Sequence, residues 1–195
     1  MPGLFTALAK AFDGDLQIER TARAALFKAA PKARLIGSPI PLPDSVHAVL
    51  AAPDAHPACQ VIAETPLPWA PPQTSTDPAY IAASVLKVHV ELVGPDGFVP
   101  SDKVRLGLYG MQPGADYGIR THPAEEVFVM LAGRADWKQG DAGYATLGPG
   151  ERSYHPSMLP HATRTTDSAF MSLYVWSGDV STDGYSYLGH LSSRA

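Results

Sequence analysis

The chain has 195 residues, a formal net charge of −4 and a pI near 5.9. A chain of this length buries roughly 70% of the surface that its unfolded form exposes, so neither a metal nor a disulfide is needed for it to fold as one unit. Lys and Arg are scattered, which excludes the electrostatic footprint of a nucleic-acid binder and leaves a small anionic or zwitterionic ligand as the expected partner.

A single cysteine, Cys59, excludes an intramolecular disulfide framework and offers the histidines no thiolate partner; it reads as a small, partly buried hydrophobe. The opening M-P-G-L-F-T-A-L-A-K-A-F has no basic leader and no long apolar run. Neither a signal peptide nor a membrane span is expected, and the expected setting is a soluble, cytoplasmic one.

Nineteen prolines are about twice the ordinary share of roughly 5%, and twelve of them lie in residues 1–78. That region must consist of short, interrupted elements. Leu4, Phe5, Leu8 and Phe12 recur at helical spacing and stop at D-G-D. Ile18, Ala22, Ala25, Leu26 and Ala29 give a second amphipathic helix that Pro31 ends. S-P-I-P-L-P at 38–43 is extended, and Asp44 or Ser45 is placed to cap a third helix bearing Val46, Val49 and Leu50. From Pro53 to Pro72 the pattern is broken, with Trp69 expected to be buried against the main domain.

From about residue 84 the period changes to two. Leu86, Val88, Val90 and Leu92 alternate with Lys87, His89 and Glu91, which reads as a half-buried strand with His89 on its solvent face. Val104, Leu106 and Leu108 alternate next. Short strand patterns then follow one another between Gly, Pro and Asp turns, through F-M-S-L-Y-V-W. Such a run indicates an all-β sandwich or barrel with the helices packed outside it. The tail from Ser177 to His190 lacks a period and reads as a covering segment. The expected organisation is a helical, proline-rich extension over residues 1–83 and a β-barrel over 84–195, forming one folding unit.

The chemistry concentrates between Gly114 and His161. His122 is followed four residues later by Glu126, then by Gly133 at a hairpin, a G-P-G turn at 148–150, and the P-S-M-L-P corner that leads to His161. Imidazole nitrogen and carboxylate oxygen are the usual ligands of zinc, iron, manganese, nickel and cobalt, and three protein ligands leave positions open for a substrate. Residues of equal parity share a strand face, so Glu126, Phe128 and Met130 should point the same way, with Glu125 outward as the second choice of ligand.

This spacing resembles the two motifs of the cupin superfamily, whose fold is a small double-stranded β-helix that holds a metal near one mouth. Over roughly the last two-thirds of the chain, H-P-A-E-E, L-A-G-R-A-D-W, P-G-E-R-S-Y-H-P-S-M-L-P-H-A-T-R-T and L-Y-V-W-S-G-D resemble the dimethylsulfoniopropionate lyase family of cupins. The resemblance implies one divalent transition metal on His122, Glu126 and His161, and β-elimination that yields dimethyl sulfide and acrylate. It also makes a homodimer the expected assembly, with no nucleic acid and no membrane as partners.

Two positions depart from the family. Its first motif histidine is matched by Arg120, which cannot ligate a metal. The family tyrosine two residues after the glutamate is matched by Phe128, which cannot accept a proton. The other family tyrosine is matched by Tyr117. The proton acceptor is therefore sought among Tyr117, Tyr154 and His155. Substrate contacts are expected from Arg120 and Phe128, and from Trp137, Tyr174 and Trp176 as aromatic walls for a sulfonium. The alternatives are a metal-dependent dioxygenase or isomerase acting on another small organic acid, which Arg120 would bind bidentately, or a non-catalytic binding barrel.

Overall fold

A computed structural model describes residues 1–189, so the end of the predicted tail, from His190, lies outside the described residues. Five α-helices precede the strands: α1 (Pro2–Ala11), α2 (Gln17–Ala29), α3 (Asp44–Leu50), α4 (Ala58–Glu64) and α5 (Pro78–Ala83). The strands are β1 (Lys87–Gly94), β2 (Val99–Pro100), β3 (Val104–Met111), β4 (Asp116–Thr121), β5 (Glu125–Gly133), β6 (Ala135–Gln139), β7 (Ala145–Leu147), β8 (Arg152–His155), β9 (His161–Arg164), β10 (Phe170–Ser177) and β11 (Ser186–Gly189).

They form a six-stranded sheet, β2-β1-β3-β10-β5-β8, and a five-stranded sheet, β11-β4-β9-β6-β7. The fold is thus the expected all-β core with helices outside it, built as two facing sheets whose ladders do not join into a closed barrel.

Two apolar cores follow from the strand alternation. On one face of the larger sheet, Val88, Val90, Leu106, Leu108, Val127, Val129, Leu173 and Val175 pack with Leu4, Phe5, Leu8, Ile18, Leu26 and Val46 of the helices. Trp69 joins this core as expected. On the other face, Tyr109, Phe128, Met130, Phe170, Tyr174 and Trp176 meet Tyr117 and Trp137 of the smaller sheet. Glu126, Phe128 and Met130 therefore do share the inner face, and Gly133 closes the hairpin at φ +69°, where an added Cβ would lie 2.0 Å from the Ala169 carbonyl oxygen.

Several local expectations are corrected. Asp44 is the first helical residue of α3, behind Pro43, and no side chain caps that helix. The broken stretch contains α4, whose Cys59 is fully buried with its thiol on the Leu131 carbonyl at 3.5 Å. Burial pushes that thiol up to about 12. Helix α5 was not anticipated, although the Asp77-Pro78 pair carries its signal: Asp77 Oδ1 accepts from the Ala79 and Tyr80 amides at 2.7 and 3.3 Å, and Pro78 occupies the first turn. No helix of the described residues is long and apolar enough to cross a membrane.

The largest correction concerns β1. Lys87 and Glu91 are buried and His89 is partly buried, because the polar face of this strand is turned toward the space between the sheets. Its apolar face is covered by the helices.

Candidate functional site

Strands β5 and β9 and the loop before β5 bring His122, Glu126 and His161 together. All three are buried, at 2%, 3% and 1% exposure, and their ligand atoms lie within 4.8 Å of one another. The corner from Pro156 to Pro160 aims His161. Within it Met158 adopts φ 62°, unusual for a residue with a side chain, and its amide donates to the His122 carbonyl at 2.9 Å.

The two rings are held by the main chain. His122 Nδ1 lies 3.0 Å from the Ala124 carbonyl oxygen, and His161 Nδ1 lies 2.8 Å from that of Leu159. A carbonyl only accepts, so each Nδ1 donates to it and each Nε2 is left facing the centre of the cluster. Both Nε2 atoms are buried without a hydrogen-bond partner, yet they stand 3.4 and 3.2 Å from Glu126 Oε2. An imidazole nitrogen facing a carboxylate oxygen at this range needs a cation between them, a proton or a metal ion. Two ligands at about 2.1 Å from a tetrahedral ion are roughly 3.4 Å apart, so the donor set fits a metal in chemistry and in span.

Glu126 is oriented by neighbours that are not ligands. His155 Nδ1 is 2.8 Å from Oε2, and its Nε2 is 2.8 Å from Ser153 Oγ, which accepts from Gln139 Nε2 at 3.1 Å. Trp176 Nε1 donates to Oε1 at 2.6 Å, and its ring stacks on His122 at 4.2 Å. Burial pushes the Glu126 carboxyl up, but the pull of His122, His155 and His161 outweighs it and holds the group well below the carboxylate range. Burial, followed by the Arg120 charge, keeps the His161 imidazole well below its ordinary value and therefore neutral.

A cavity of about 540 Å³ ends on Glu126. Arg120, Phe128, Tyr109, Tyr117, Tyr174 and Trp176 line its inner part, and the Pro68–Thr74 segment, Thr182 and Tyr185 border it. His122 and His161 are not on this lining. Arg120 is 2% exposed and remains charged, since the surrounding tyrosines and Glu126 outweigh the cost of burial. Among the described residues its side chain makes two hydrogen bonds, both long, to the Tyr117 carbonyl at 3.5 Å and to Thr163 Oγ1 at 3.3 Å, so most of its donors find no partner there. Two basic side chains lie against the Tyr117 ring, Arg120 at 3.8 Å and Lys87 Nζ at 3.3 Å. Burial and the Arg120 charge bring the Lys87 ammonium down to about 6.

Of the three candidate proton acceptors, Tyr117 reaches the cavity, with its hydroxyl 2.5 Å from that of Tyr185. Tyr154 does not: it lies on the opposite face of β8 from Ser153 and His155, and its hydroxyl donates to Glu125 at 2.7 Å. His155 spends both nitrogens on Glu126 and Ser153 and is off the lining. Trp137 is also off the lining; it backs Phe128 at 4.7 Å and Phe170 at 5.9 Å. Glu125 stays outside the ligand cluster.

Sequence reading missed Tyr109, Tyr185 and His89 as cavity residues. Tyr109 carries the parity opposite to Leu106 and Leu108, which was the signal available. His89 Nε2 lies 2.7 Å from the Tyr174 hydroxyl. At the rim, Arg105 bridges Glu91 at 2.5 Å and Asp96 at 3.2 Å, and donates from Nε to the Val180 carbonyl at 3.3 Å, which fastens the covering segment.

Comparison with known proteins places these features in a family. The family model described as dimethylsulfoniopropionate lyase matches residues 21–172. Dimethylsulfoniopropionate lyase DddQ of Ruegeria pomeroyi DSS-3 is 42% identical over 91 residues, 47% of this chain and 45% of that protein, so the matched stretch spans under half of that relative's length. A crystal structure of DMSP lyase DddQ from Ruegeria pomeroyi DSS-3 superposes with a TM-score of 0.61 and 26% identity, over 92% of this chain and 96% of that one. A chain from the crystal structures of the DMSP lyases RdDddP and RnDddQII superposes with a TM-score of 0.65 at 22% identity, over 94% of each chain.

Proposed function

This chain belongs to the dimethylsulfoniopropionate lyase family, and we propose that it is a divalent-metal-dependent lyase that converts dimethylsulfoniopropionate to acrylate and dimethyl sulfide. The observation that carries this reading is the convergence of two orphaned imidazole nitrogens on the Glu126 carboxylate at the end of an aromatic-walled cavity. His122, Glu126 and His161 would hold the divalent ion, which would supply Lewis-acid stabilisation for charge on the substrate carboxylate.

The chain's own residues set the remaining requirements. Arg120, with open donors and a retained charge, takes a carboxylate oxygen of the substrate. The rings of Tyr109, Tyr174 and Trp176 present π faces to the sulfonium, and the carboxylates of Glu91 and Asp96 place negative charge toward the rim. The Pro68–Thr74 segment and Tyr185 narrow the entrance and exclude water. Arg120 also favours a second reading, a metal-dependent enzyme acting on another small organic acid.

The test is elemental analysis followed by headspace assay of dimethyl sulfide with zinc, iron, manganese, nickel and cobalt forms. Metal at one equivalent and release of dimethyl sulfide are expected. Protein that takes up no transition metal overturns both readings. Metal uptake without dimethyl sulfide overturns the first, and oxygen consumption with small organic acids would then identify an oxygenase.

A further inference from the structure

Phe128 offers no atom that can take a proton, so the elimination proposed above must deliver the α proton elsewhere. We infer, resting on that lyase reading, that the Tyr174–His89 pair receives it.

The register of the larger sheet places the pair. Tyr174 of β10 lies directly opposite Phe128 of β5, with ring centroids 6.2 Å apart, and both line the cavity. Two residues along the same face of β10, Trp176 lies opposite Glu126 and bonds to it. Tyr174 is therefore a diagonal neighbour of the candidate ligand, within reach of a long side chain. It presents a hydroxyl to the cavity that Phe128 also lines, turned toward His89 of β1.

The other candidates are committed or have nowhere to pass a proton. His122 and His161 spend Nδ1 on carbonyls and aim Nε2 at the candidate metal position, and His155 is occupied on both nitrogens. The Tyr117 hydroxyl is bonded to Tyr185. The Tyr109 hydroxyl has no hydrogen-bond partner among the described residues. Among the described residues Tyr174 alone couples a cavity hydroxyl to an imidazole, at 2.7 Å, and His89 is the one histidine on the lining. The charged groups facing the pair are Arg105, Glu91 and Glu126, with Asp96 on the far side of Arg105. Burial and then the Arg105 charge bring the His89 imidazole down to about 4, so its lone pair stays open at neutral pH.

The step balances. The substrate Cα–H bond breaks and its proton goes to Tyr174 Oη, while the Tyr174 hydroxyl proton goes to His89 Nε2. The C–H electron pair becomes the C=C bond of acrylate, and the C–S electron pair leaves with neutral dimethyl sulfide. A zwitterion of zero net charge becomes one acrylate anion, one neutral sulfide and one imidazolium, which then loses its proton to water through the cavity mouth. Tyr174 is the group that touches substrate, and His89 acts through it.

The experiment measures kcat and KM for dimethyl sulfide release by the metal-loaded wild type and by Tyr174→Phe, His89→Gln and His89→Gly, beside metal content, melting temperature and affinity for 3-(methylthio)propionate. Both Tyr174→Phe and His89→Gln should lose about 100-fold or more in kcat, with analogue affinity and metal content within about twofold of wild type. Added imidazole should restore activity to His89→Gly, which a merely structural role would not allow. Either variant keeping a third or more of wild-type kcat, or no recovery with imidazole, overturns the relay. If Tyr174→Phe fails to fold, His89→Gln and the imidazole recovery decide alone. An active wild type with active variants overturns this step only, whereas a wild type that releases no dimethyl sulfide in any metal form overturns the lyase reading and this step with it.

Discussion

Trp176 Nε1 donates to Glu126 Oε1 at 2.6 Å while the same indole ring stacks on His122 at 4.2 Å, so one side chain steadies two members of the candidate metal set. Trp176→Phe keeps an aromatic ring on His122 and removes the donor. Donors that orient ligands are worth about 10- to 100-fold in metal affinity, and a loss in that range is expected in competition titrations against a chromophoric chelator. Unchanged affinity would show that Glu126 needs no such support.

Arg120 stands opposite His161 in the β4–β9 register, where the family motif carries a histidine. Arg120→His should add an imidazole and raise divalent-metal affinity by about tenfold or more, while removing the carboxylate clamp and raising KM by a similar factor. Metal titration and steady-state kinetics on one preparation check both. A higher affinity with unchanged KM would release Arg120 from substrate binding.

The metal-free protein should lose stability as pH falls from about 6.5 toward 4. Burial holds the His155, His161 and His89 imidazoles below their unfolded value of 6.5, His89 at about 4, so in this window the unfolded chain binds more protons and stability rises with pH. Glu126, held below the carboxylate range, acts in the same direction below about pH 4.5. Each fully displaced group contributes up to about 1.4 kcal/mol per pH unit. Denaturant melts in chelator at pH 7, 6 and 5 should show a falling midpoint, with a shallower fall in His89→Gln. A flat profile would contradict the buried, neutral assignment of these histidines.

Arg152 of β8 reaches across to the helices, with Nε on Glu19 Oε1 at 2.8 Å and a second bond to Asp13. Glu19 is fully buried and also accepts from the Gly14 amide at 2.8 Å. Arg152→Met leaves that carboxylate without its cation and should cost about 3 kcal/mol, read as a shift in the urea midpoint. Because Arg152 lies on the same strand as His155, catalysis and stability can be separated here: the variant should keep its metal content at low temperature.

The triad His122, Glu126 and His161 was legible because ligand spacing and strand parity act over a few residues, and the structure brings the three together. The helices ending near Asp13 and Pro31 were legible for the same reason. What sequence could not show is which face of an alternating strand meets water. His89 was read as a surface residue because Lys87 and Glu91 share its parity, but the helical layer, through α2, packs on the apolar face of β1 and leaves the polar one turned inward. Tyr154 failed by the opposite route. It neighbours His155, adjacent residues point to opposite faces, and only one of the two could face Glu126. Helix α4 was hidden by the prolines on either side of it, which end elements without saying what lies between them.

The Met158 corner has a further consequence. The bond from its amide to the His122 carbonyl, and the carbonyl contacts to both Nδ1 atoms, are main-chain interactions that owe nothing to a bound ion. The imidazoles are therefore aimed with no ion between them, which would make the site a socket instead of a clamp. One ion can replace another without remodelling the chain. The metal found in purified protein would then report the supply in the surrounding medium more than any preference written into the fold.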